Sequence, residues 1–186
     1  MKSPAVLPQL LSALLLFLTA CASAAPRSVY EEEIGIYFLL LENFCARGYG
    51  PSPAYVVGET ETDYASSADF AENQLQSLPL APEVFESFRK NSEEAKTIDP
   101  KAIPNTANCK LISPLELNSM RSLGMAWENE NMVISFSAVG FNTALDEAIV
   151  WQAYDCGAEC AGDDLYYLVR HGDSWSVKKT VPGYRE

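Results

Sequence analysis

Apolar and polar positions change period along the chain, and those changes mark its elements. From Val29 to Ala46 the apolar residues crowd into Ile34-Gly35-Ile36-Tyr37-Phe38-Leu39-Leu40-Leu41. A segment of this length that is apolar nearly all round predicts a helix buried on most sides. Ser28 can cap it, and Glu31, Glu32 and Glu33 fall in its first turn, where the positive end of the helix dipole favours them. The glutamates read as a solvated helix start rather than a metal or partner site. Gly48-Tyr49-Gly50-Pro51 is the stop.

Ala54 to Thr60 is rich in strand formers. Residues 62–108 are irregular and hold Pro79, Pro82, Pro100 and Pro104, with a helix expected over Pro82–Asn91, where Pro82 suits the first turn. The Lys96–Asn108 segment reads as loop. A short helix is expected over Pro114–Ser122, with Ser113 and Glu116 at capping-box spacing. The final third turns to strands: Asn131–Val139, Glu147–Tyr154, Leu165–Arg170 and Ser174–Lys179, the last two joined through His171-Gly172-Asp173-Ser174. Short strands with short, turn-rich links form an antiparallel meander. The fold class is therefore α+β: a long N-terminal helix packed on an antiparallel β-meander. Gly140 and Asn142 are expected to supply positive φ at a tight strand exit. Phe141 between them should plug the core, and Trp175 and Val177, two apart, share a face.

The leader shows a third pattern. Lys2 precedes an apolar run through Leu10-Leu11 and Leu14-Leu15-Leu16-Phe17-Leu18, and small residues follow. That order is a secretory signal peptide, with an apolar core too short for a permanent membrane span. Two cleavages compete. Ala22-Ser23-Ala24 suits ordinary signal peptidase, with the mature chain starting at Ala25. Leu18-Thr19-Ala20-Cys21 resembles the bacterial lipoprotein box, which implies cleavage before Cys21 and lipid attachment to it. The signal peptide thus occupies 1–24, and 25–186 is one α+β domain with an irregular insert at about 62–108.

Five cysteines occur, Cys21, Cys45, Cys109, Cys156 and Cys160. Either cleavage takes Cys21 out of the oxidisable set and leaves four, suited to two bridges in an oxidising compartment. Cys156-Gly157-Ala158-Glu159-Cys160 lies between two strands with three residues between its thiols, which favours a bridge clamping a hairpin over a redox pair. A Cys45–Cys109 bridge would tie the first helix to the sheet, the alternative being two buried thiols. Four cysteines allow three pairings.

Three stretches of the final third, Ser137-Ala138-Val139-Gly140-Phe141-Asn142, the Cys156–Cys160 hairpin and Trp175-Ser176-Val177, resemble an uncharacterised family of bacterial exported and lipoprotein-like domains. In that family an S-x-V-G-F-N strand end precedes a strand, a Cys-Gly-rich hairpin, a Tyr-rich strand and a W-x-V strand. The resemblance covers about 50 residues. It implies fold and location, and no reaction.

The mature region of about 160 residues is long enough for a real core. The full chain's 48 % apolar and 11 % aromatic content excludes disorder. The net charge of -12 repels nucleic acid and anionic headgroups, which excludes nucleic-acid partners and leaves a lipid anchor as the membrane contact. His171 is the sole histidine. It is the base a nucleophilic triad would need, yet it sits in a turn, and neither a G-x-S-x-G elbow nor a phosphate loop occurs. Two thiols with a distant histidine make poor zinc ligands, and Asp155, Glu159, Asp163 and Asp164 lack calcium-loop spacing. No catalytic, cofactor or metal residue is assigned. The expected role is an envelope, periplasmic or secreted domain binding a protein or small ligand, with Tyr37, Tyr154, Tyr166, Tyr167 or Trp151 lining a concave sheet face. The alternative is a hydrolase with paired carboxylates.

Overall fold

A computed structural model of the protein describes residues 28–47, 53–62, 75, 78–123, 131–157 and 160–185. The leader, its two cleavage sites, Cys21, the breaker cluster 48–51 and hairpin residues 158–159 lie outside the described residues.

Helix α1 covers Val29–Arg47. Ser28 and Glu31 close a reciprocal cap: the Ser28 N–H donates to Glu31 Oε2 (3.1 Å) and the Glu31 N–H to Ser28 Oγ (3.3 Å). The far end is tied down by Asn108, whose side-chain amide donates to the Cys45 carbonyl (2.9 Å), and by the Cys45–Cys109 disulfide. Strand β1 (Ala54–Val57) and helix α2 (Pro82–Asn91) follow, then a 3-10 turn at Pro100–Ala102 and strand β2 (Cys109–Ile112). Helix α3 (Pro114–Ser122) starts on the expected capping box: Ser113 Oγ accepts from the Glu116 N–H (3.2 Å), and Glu116 Oε2 accepts from the Ser113 N–H (2.8 Å). The Ser113 N–H and hydroxyl, both donating to the Glu116 carboxylate, hold it below its usual range. Strands β3 (Val133–Phe136), β4 (Gly140–Phe141), β5 (Glu147–Asp155), β6 (Ala161–His171) and β7 (Ser174–Arg185) complete the chain.

The described residues form an α+β fold whose seven strands make one mixed sheet, in the order β2-β1-β3-β5-β6-β7 with β4 also on β5. The expected meander is present from β3 through β7. It is extended by β1 and β2, which run parallel to each other and to β3. Strand β2 begins directly after the segment read as loop, where no strand is expected, because four residues are too few for a period to register.

Alternation along β5 divides the core. Ala148 and Val150 face α1, where Ile36, Tyr37, Leu40 and Leu41 are buried. Ile149 and Trp151 face α2, with Val84, Phe88 and Tyr167. Val57, Ile112 and Val133 continue that second face under Leu117 of α3.

Between β3 and β4 the ladder breaks at Ser137. Its Oγ accepts the Trp151 N–H (2.9 Å) and its hydroxyl donates to the Ala138 carbonyl (2.9 Å), so the break stays satisfied at full burial. Phe141 is buried as expected. Gly140 serves another purpose than the positive φ expected of it, for the described residues with positive φ are Leu145, Gly157 and Gly172. A Cβ at Gly140 would sit 2.4 Å from the Phe88 Cβ and 2.6 Å from its backbone nitrogen, so this glycine admits α2 against the sheet. Asn142 does shape the following turn, its Oδ1 accepting the Asp146 N–H (3.0 Å).

Candidate functional site

Beyond β1 the chain continues as Gly58-Glu59-Thr60-Glu61-Thr62 and is stitched on both sides. The Gly58 N–H donates to the Ile112 carbonyl (2.8 Å) and the Glu61 N–H to the Phe136 carbonyl (2.7 Å). Thr60 is buried and doubly tied to Lys96: its N–H donates to the Lys96 carbonyl (2.9 Å), and its Oγ1 accepts the Lys96 N–H (2.9 Å). This fixed segment forms one wall of a groove of about 260 Å³, and α3 forms the other. Val57, Pro114 and Leu117 give the groove an apolar floor, while Glu59, Glu61 and Thr62 oppose Asn118 and Arg121. It opens at the carboxyl ends of β1 and β2, the edge at which parallel sheets place their ligands.

Sequence reasoning did not single out these groove residues. The one signal was the Glu-Thr-Glu-Thr alternation, which places two carboxylates on one side of an extended segment. Arg121 gave none, since a basic residue in a last helical turn is ordinary.

The expected aromatic face is split by the sheet. Tyr37, Tyr154 and Tyr166 lie on the α1 side, whereas Trp151 and Tyr167 are buried under α2. On the α1 side the rings are engaged. Tyr37 donates to the Ser137 carbonyl (2.9 Å) and packs on Phe136 at 5.2 Å, and burial pushes its pKa well above the usual value. Arg185 pairs with Asp164 and lies over the Tyr154 ring at 5.6 Å. Burial and the neighbouring Asp164 raise the Tyr166 pKa. Under α2, Tyr167 donates to Glu147 Oε1 (3.0 Å), and burial followed by that bond pushes its pKa up to about 12. Tyr37, Trp151 and Tyr167 are buried and Tyr154 and Tyr166 half-buried, and the five do not share one face of the sheet.

Gln152 sits on the α1 side, paired in register with Phe136 and Asp164. It is 1 % exposed, and both its amide atoms lack a hydrogen-bond partner.

The glutamates of α1 depart from the solvated helix start expected of them. Glu31 caps, but Glu32 is only 2 % exposed. Its Oε1 lies 3.2 Å from Arg170 Nη1, and its Oε2 accepts the Trp175 indole N–H at 2.6 Å. Glu33 lies 3.6 Å from Lys96 Nζ, and burial raises its pKa against the opposing pull of that lysine. Tyr30 donates to Asp99, which holds the Asp99 carboxyl low. The first turn of α1 is thus anchored to the β6–β7 hairpin and to the 96–99 segment, the latter also bracing the groove through Thr60.

Cysteine pairing is Cys45–Cys109 and Cys156–Cys160. Two such bridges belong to a chain that folds in an oxidising environment. His171 is exposed at the end of β6, before the Gly172-Asp173 turn. Asp164 is taken up by Arg185, and Asp163 accepts the Tyr184 N–H (3.1 Å). Among the described residues no cluster of His, Cys, Asp and Glu is placed to hold a metal ion, and no helix is long and apolar enough to cross a membrane. No family model, curated protein or solved structure matches the chain.

Proposed function

We propose that this protein is an exported domain of the bacterial cell envelope, lipid-anchored through Cys21, that binds a small ligand in the groove between the Glu59–Thr62 segment and α3. The observation that carries the binding reading is the groove itself: a fixed wall bearing carboxylates and hydroxyls faces a guanidinium and an amide above an apolar floor. Such a lining of a few convergent polar groups on apolar walls is how small-molecule sites are built. The export reading is supported by the two disulfides, and the anchor by the Leu18-Thr19-Ala20-Cys21 box. The resemblance to exported and lipoprotein-like bacterial domains belongs to the same reading.

Two measurements test it. Amide chemical shifts of the 15N-labelled protein are followed against millimolar amino acids, short peptides, saccharides and nucleotides. Perturbations confined to residues 58–62 and 114–121 are expected, and silence there with every class overturns the binding reading. The intact mass of the protein secreted with its own leader should carry acyl chains on Cys21. A mass starting at Ala25 overturns the anchor.

The hydrolase alternative draws on one observation, that Glu59 and Glu61 line the same groove. Retaining glycosidases need two carboxyl groups about 5–5.5 Å apart, inverting ones about 6.5–9.5 Å. Glycoside turnover abolished by both Glu59→Gln and Glu61→Gln would replace binding by catalysis.

A further inference from the structure

The groove's charges are placed as two ends. Glu59 stands on the extended wall and Arg121 in the last turn of α3, and both line the same space. Among the described residues neither side chain has an ion-pair or hydrogen-bond partner, so the two do not neutralise each other across the groove. Glu61 lines the groove on the Glu59 side but is already engaged within the protein. At about 260 Å³ the groove falls just below the 300–1,000 Å³ of ordinary ligand pockets, which favours something of amino-acid size.

Resting on the groove reading above, we propose that the ligand is a small zwitterion, an unblocked amino acid or dipeptide. Its ammonium group lies against Glu59, and its carboxylate against Arg121. A guanidinium offers the forked donors that match a carboxylate, and a carboxylate offers an ammonium charged acceptors. Val57 and Leu117 leave the ligand's short side chain an apolar floor. Each end of the ligand then meets one opposite charge, so blocking the amine and blocking the acid should each weaken binding.

The test uses L-alanyl-L-alanine as probe, with N-acetyl-L-alanyl-L-alanine and L-alanyl-L-alaninamide as blocked controls. Affinity is read from the chemical shifts of groove amides at low salt. N-acetylation and amidation should each weaken binding about tenfold, and raising the salt to 0.5 M should erode both differences. Glu59→Gln should weaken the free dipeptide while leaving the N-acetyl form unchanged, and Arg121→Gln should do the reverse for acid and amide. Both positions are exposed, so neither variant threatens the fold. Equal affinity of free and blocked forms, or groove perturbation by saccharides or nucleotides alone, overturns the zwitterion while leaving the groove as a binding site. No groove perturbation by any compound overturns both.

Discussion

Replacing Glu32 by glutamine removes a negative charge that is 2 % exposed and faces the Arg170 guanidinium at 3.2 Å. Taking away one member of a buried pair costs about 3–5 kcal/mol, because the other charge is left uncompensated. Here the Arg170 side chain is 18 % exposed, so water recovers part of the loss. The expected cost is therefore at the low end, about 3 kcal/mol. Asp173, at 3.8 Å from Arg170 with its side chain 83 % exposed, offers little replacement.

The Trp175 bond separates hydrogen bonding from charge. Glutamine at position 32 still presents an oxygen to the indole N–H, whereas Trp175→Phe keeps both charges and deletes a 2.6 Å hydrogen bond to a carboxylate. That deletion should cost about 1.5–3 kcal/mol. The assay is urea unfolding by fluorescence and circular dichroism. With a slope of about 1.5–2 kcal/mol/M, Glu32→Gln should lower the midpoint by about 1.5–2 M. The double variant Glu32→Leu/Arg170→Met, which removes both charges and keeps apolar bulk, should lie within about 1 kcal/mol of the parent. Single costs below about 1 kcal/mol that simply add in the double variant would refute the reasoning, since contacting buried charges must couple.

Gln152→Leu should stabilise the protein by about 1–2 kcal/mol, because the buried amide has no partner to lose; a destabilised variant on urea titration would show that it does. Gly140→Ala drives a Cβ into the backbone of Phe88 and should cost at least about 2 kcal/mol, read as a Tm lower by about 4–8 °C, and an unchanged Tm would contradict the close packing of α2. Removing the Cys45–Cys109 bridge, which closes a separation of 64 residues, should cost about 4 kcal/mol by loop entropy, against about 2 kcal/mol for Cys156–Cys160, separated by 4; the order of the two double Cys→Ser variants on denaturation checks this. Glu33 is held above its ordinary pKa chiefly by burial, so its charged form opposes folding at neutral pH and the opposition fades as pH falls through the raised value. Glu33→Gln should accordingly stabilise more at pH 7 than at pH 4.5, and a pH-independent difference would remove burial as the cause.

What sequence disclosed and what it concealed follow from the range of the forces involved. The capping box of α3, the limits of α2 and the two-residue turn at Gly172-Asp173 were legible because each is set within a few neighbouring residues. Strand β2 was not, because Cys109–Ile112 becomes a strand only by pairing with Ala54–Val57 across a long insertion. Glu32 illustrates the same limit for charge. Three consecutive glutamates at a helix start look alike in sequence, and only the return of Arg170 and Trp175 on the distant β6–β7 hairpin selects the middle one for burial. Gly140 was recognised as special for the wrong reason: a strand exit suggested φ, but the approach of Phe88 from another element is what excludes a side chain there. The groove extends this logic to function. Glu59 reads as a strand end and Arg121 as a helix end, each consistent with a purely local role, and their common chemistry arises because β1 and α3 meet at one edge of the sheet. The proposed binding site, assembled from two such termini, can acquire specificity through a few exposed substitutions, while Thr60 and Lys96 keep its wall fixed beneath them.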